Sequence, residues 1–135
     1  MLAQQDGTGD PAVAGLKELI DSEVRRARTS EPELLEQADP SRVWLLWFAI
    51  GATDAVCELT GRRTDIQRDY VFRQVVAAIF DGKGVRSVAD QVDSDRRLIE
   101  LFESAGAEAV AACMRDEPRL GYYVEALRVS RRRDG

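Results

Sequence analysis

Asp54 and Glu58 are the residues of this 135-residue chain whose types and spacing come nearest to chemistry. Four positions apart on a helix, their carboxylates project from the same side, one turn above the other. Trp47 and Gly51 fall on the same stripe, so the acids stand beside an indole and a bare stretch of backbone. Two carboxylates in a partly apolar setting suit oxygen ligation of Mg²⁺ or Mn²⁺, or an acid and base pair with one carboxyl raised. The same stretch offers a plainer use for them. Arg62, Arg63, Arg68 and Arg73 follow within the next two turns of chain or on the adjacent helix, and an arginine between two acids makes an ion pair. Ion pairing is the reading adopted, with a ligand or partner pocket at Trp47, Asp54 and Glu58 as its rival.

A second acidic pattern pairs Glu33-x-x-Glu36 with Glu100-x-x-Glu103, a spacing that could bring carboxylates together in a helical Mg²⁺ site. The helical wheel argues otherwise. Glu100 and Glu103 lie opposite the stripe Leu98, Leu101, Phe102, Ala105 and are expected to face solvent. No metal and no cofactor is therefore assigned.

The chain contains no histidine. A zinc site with imidazole ligands, a Cys–His nucleophile pair and a Ser–His–Asp triad are all excluded on that ground. Cys57 and Cys113 have no CxxC partner and read as reduced core thiols. Asp81-Gly82-Lys83-Gly84 lacks the preceding strand and the Gly-Lys-Ser/Thr ending of a phosphate loop. A net charge of −5 and a pI near 4.8 argue against binding a nucleic-acid backbone, since the one basic cluster, Arg131 to Arg133, sits at the chain end. Of 19 basic residues only Lys17 and Lys83 are lysines, a bias that suggests a GC-rich bacterial genome.

The element that must position Asp54 and Glu58 begins with Val43-Trp44-Leu45-Leu46-Trp47-Phe48-Ala49-Ile50. Apolar on every side for two turns, it has the pattern of a helix enclosed by others. It is predicted to run from about residue 41 to the stop glycine Gly61. The apolar run is too short to cross a bilayer, which takes about 20 residues.

The flanking segments are amphipathic. After a flexible arm over residues 1–9, Asp10-Pro11 opens a helix with Val13, Leu16, Ile20, Val24 and Ala27 on its apolar face. Glu31 to about Gln37 forms a short helix. Thr64-Asp65-Ile66-Gln67 is a capping box, and Val71, Phe72, Val75, Val76, Ile79 and Phe80 line the helix it starts. A helix over about 94–115 has a small-residue second half, Ala105 to Ala112, which lets another helix approach closely, within the fold or across a dimer. Glu117-Pro118 opens the last helix, with Leu120, Tyr123, Val124 and Leu127 inward. The fold class is all-α: a compact bundle of about five helices plus a short one around the central segment, forming one domain over residues 10–135.

Most aromatic residues are needed to fill such a core. Tyr122 and Tyr123 cannot both face inward, so Tyr122, with Arg119 nearby, is the candidate for contact with a partner. Nothing in the N-terminal residues directs export, and the expected setting is the cytoplasm. The expected function is a small non-catalytic protein–protein interaction module of the adaptor, chaperone-like, or inhibitor and immunity type. Its partner is a protein, with no nucleic acid and no membrane, and a symmetric homodimer through the alanine-rich half-helix and the last helix is the expected assembly. The alternative is a ligand-binding or Mg²⁺-dependent helical enzyme using Asp54 and Glu58.

Overall fold

A computed structural model of the chain describes residues 11–38, 42–80, 96–115 and 121–134, and every regular element among them is a helix. In order these are α1 (Pro11–Ser30), α2 (Pro32–Ala38), α3 (Val43–Leu59), α4 (Asp65–Phe80), α5 (Arg96–Met114) and α6 (Tyr122–Asp134). The all-α bundle around a central apolar helix is thus the architecture observed. Residues 1–9, the Gly82-Lys83-Gly84 loop, the Glu117-Pro118 start signal and Arg119 lie outside the described residues. No helix among the described residues is long and apolar enough to cross a membrane.

The central helix α3 buries Val43, Leu45, Leu46, Phe48, Ala49, Gly51, Ala52, Thr53 and Cys57. These residues occupy several sides of the helix, because α5, α4 and α1 all pack on it. It begins at Val43, where the apolar run begins and two residues after the predicted start near residue 41, following Arg42, whose backbone is left-handed at φ 61°.

Its end is built as the stop glycine requires. Gly61 takes φ 77°, and the N–H of Arg62 reaches back to the Cys57 carbonyl at 2.8 Å while that of Gly61 faces Glu58 at 3.4 Å. This is the paired closure of a helix whose first residue past the cap is left-handed, a conformation glycine adopts without steric cost. The capping box then forms reciprocally. The Gln67 N–H donates to Thr64 Oγ1 at 3.1 Å and the Thr64 N–H donates to Gln67 Oε1 at 3.2 Å. The stop and the start signal follow each other directly, so α4 turns back against α3.

The closest crossing in the bundle joins α3 to α5 through two glycines. A Cβ on Gly51 would overlap the carbonyl oxygen of Glu103, and one on Gly106 would overlap the carbonyl oxygen of Phe48 and lie 2.8 Å from the Ala52 nitrogen. Gly106, Ala109, Val110 and Ala112 are buried by this packing. The small-residue half of α5 thus serves a close approach within the fold at these positions, while Ala105, Ala107 and Ala111 are only partly covered. Around the crossing, Trp44 stacks on Phe102 with ring centroids 5.2 Å apart and planes at 12°, and Phe48 meets the edge of Tyr123 at 5.3 Å. Cys57 is in the core as expected, whereas Cys113, one position past Ala112 on the last turn of α5, is exposed.

Candidate functional site

The acidic stripe on α3 is closed off by one arginine. Arg68, on the first turn of α4, places one guanidinium nitrogen 2.7 Å from Glu58 Oε2 and the other 3.7 Å from Asp54 Oδ1. The turn from Gly61 to Thr64 brings this about, because it sets the start of α4 beside the end of α3. The side chains of Asp54 and Glu58 remain 53% and 59% exposed, so these ion pairs work through water and contribute little to stability. Trp47 is half-buried on the same stripe, and its Nε1 is shielded from water without an acceptor.

Glu103 departs from expectation. It does not face open solvent but is half-buried, and its carboxyl is raised first by burial, then by the negative charges of Asp54 and Glu100. The reason is the glycine crossing: with Gly51 against the Glu103 backbone, α5 lies too close to α3 for position 103 to point away. Among the described residues no group of three or more His, Cys, Asp or Glu side chains is placed to hold a metal ion.

The other sequence candidate leads to a different place. Tyr122 is half-buried while its neighbour Tyr123 is fully buried, as one helix face requires. Tyr122 forms part of a groove of about 410 Å³ between α5 and α6. One wall is Leu101, Ser104, Ala105 and Glu108; the other is Tyr122, Glu125, Ala126 and Val129, with Gly121 at the end. Each wall is a run at i, i+3, i+4 and i+7, the stripe that a helix presents to a neighbour. Leu101 and Ala105 belong to the apolar stripe read from the sequence, yet they are only partly covered. The bundle gives α5 one more apolar face than it has helices to cover. By contrast the exposed Ile66 and Tyr70, on the outer side of α4, line neither this groove nor the cavity bordered by Val24, Leu35 and Tyr123.

The groove depends on a residue that sequence reasoning missed. Glu23, in the middle of α1, is fully buried, and its carboxylate accepts the N–H of Gly121 at 3.2 and 3.3 Å and that of Tyr123 at 3.0 Å. It caps the start of α6 from another helix, satisfying donors that would otherwise be orphaned. Burial pushes its carboxyl up, against the lowering effect of the Tyr123, Gly121 and Tyr122 N–H groups and of Arg26. The apolar spacing of α1 did not single it out. The buried positions of α1 are Leu16, Ile20, Glu23 and Ala27, so a carboxylate occupies the stripe itself, and the neighbouring Val24, read as the inward residue, is only half-buried.

The far part of α6 is tied to α2 and its junction with α1. Arg128 pairs with Glu31 and with Glu125 on its own helix, and Arg131 hydrogen-bonds Gln37. The α6 wall of the groove is therefore held at its start by α1 and further along by the α1–α2 corner. No protein-family model, curated protein or solved structure matches this chain.

Proposed function

We propose that this chain is a small non-catalytic interaction module of the adaptor, chaperone-like, or inhibitor type, and that it holds a protein partner in the groove between α5 and α6. The observation that carries the reading is the groove itself: two helical stripes, mostly apolar, half-covered, and anchored at both ends of one wall. A concave apolar surface with a tyrosine at its edge and few charged groups has the composition of the centre of a protein interface. Neither Cys57 nor Cys113 forms a disulfide, which fits a reducing setting such as the cytoplasm. Arg68 weighs against the rival use of Asp54 and Glu58, since it already engages both carboxylates.

The test is site-directed photo-crosslinking in the native cell. A photoreactive residue at Tyr122 or Val129 is expected to form an adduct with one protein, and the same residue at Asp69 on α4 is expected to form none. Adducts of equal yield from all three positions, or none from the groove positions, would refute the reading.

A further inference from the structure

Resting on that reading of the groove, we infer that its occupant is an amphipathic helix of another protein, two to three turns long, whose apolar stripe is flanked by lysine or arginine. Shape gives the helix. The walls run Leu101, Ser104, Ala105, Glu108 and Tyr122, Glu125, Ala126, Val129, each two turns and so roughly 10 Å long at 1.5 Å of rise per residue. Two helices side by side with open stripes make the seam into which a third packs, ridge into groove, and this is a recurring mode of peptide recognition. Ser104, Ala105 and Ala126 are small, so the third backbone can come close.

Charge gives the flanks. The charged groups among the described lining residues are Glu108 and Glu125, one from each wall, and both are exposed. Glu125 meets Arg128, but Arg128 is shared with Glu31 at the α1–α2 corner. A helix lying between the two acids is best matched by a basic residue on either side of its apolar stripe, the arrangement that steers encounter and fixes orientation. A second copy of this chain is a poorer occupant. In a two-fold pairing through this seam the same acidic edge would serve both partners, bringing like charges together.

The test uses the full chain and fluorescence anisotropy of labelled 18-residue peptides. One peptide has leucines at i, i+3, i+4 and i+7 with lysine elsewhere, and a second carries glutamate in place of every lysine. The leucine–lysine peptide is expected to bind, and Glu108→Lys to weaken it about tenfold, whereas Glu100→Lys, on α5 but outside the groove, is expected to change it less than about twofold. Ser104→Arg, at an exposed position in the seam, supplies a second variant that weakens binding by blocking the site. Equal losses from Glu100→Lys and Glu108→Lys would mean diffuse attraction to an acidic protein and would overturn the inference. Equal binding of the glutamate peptide, or a dimer in light scattering that Ser104→Arg dissolves, would overturn it as well. If groove cross-links from Tyr122 reach a partner segment that is not a basic helix, the inference fails and the interaction reading stands. If no cross-link forms, both fail.

Discussion

The carboxylate of Glu23, on α1, accepts the backbone N–H of Tyr123, on α6, at 3.0 Å across 100 positions of chain. The same carboxylate takes the N–H of Gly121, so Tyr122, which lines the groove, sits between two residues held by one buried acid. Glu23→Leu would remove the acceptor of both N–H groups, that of Tyr123 buried and that of Gly121 part-buried. The expected loss is about 2 kcal/mol of unfolding free energy, read by urea denaturation, because a buried orphaned donor costs on the order of 1–3 kcal/mol. Glu23→Gln keeps an acceptor oxygen and should lose much less. Equal losses from the two variants would show that the cap is unimportant.

The pH dependence of this cap has a definite sign. Burial raises the Glu23 carboxyl above its ordinary value, so the folded chain holds that proton more firmly than the unfolded chain does. Its contribution is then full below the unfolded carboxyl value and falls as pH rises through the folded one. The stability of the native chain relative to Glu23→Gln should therefore decline as pH rises above about 4, near the unperturbed glutamate value. A relative stability that rises with pH above that value would contradict the burial argument.

The α3–α5 crossing predicts a steep response to one methyl group. Gly51→Ala and Gly106→Ala each set a Cβ into the backbone of the opposite helix, where no side chain can turn aside. Each should cost more than the ~1–3 kcal/mol of ordinary overpacking, seen as a fall in Tm by calorimetry. Gly15→Ala, where a Cβ meets nothing within 4 Å, is the control and should be neutral or slightly stabilising. Equal effects at all three positions would mean that the helices do not cross where described.

Thr53 offers a change in the opposite direction. It is 2% exposed, and its hydroxyl has no hydrogen-bond partner. Thr53→Val keeps the branched shape and removes the unpartnered oxygen, so a gain of about 1 kcal/mol is expected. A lowered Tm would show that the hydroxyl is satisfied in solution.

Asp54 and Arg68 should matter little for stability and measurably for a neighbouring titration. Arg68→Ala removes two half-exposed ion pairs and is expected to cost below ~1 kcal/mol. Asp54→Asn should lower the titration midpoint of Glu103 in carbon-13 NMR, since the charge of Asp54 is the second cause of its raised value after burial. An unchanged midpoint would separate the two acids.

The sequence by itself determined the class of fold and most of its grammar. The two apolar turns from Val43 marked the enclosed helix, and Gly61 with the Thr64–Gln67 pair marked where it stops and the next begins. The arginines after Asp54 and Glu58 marked the ion pairs that Arg68 makes with them. These features are legible because they are local: periodicity, capping and a left-handed glycine act within a turn or two of chain. Three things were decided only in the tertiary structure. Glu23 became a cap for a helix begun about a hundred residues later, Glu103 was half-buried at the glycine crossing within reach of the charge of Asp54, and the stripe from Leu101 to Glu108 was left half-covered. Each depends on which helix lies beside which, and burial or pairing across such distances follows from packing geometry rather than from the spacing of residues along the chain.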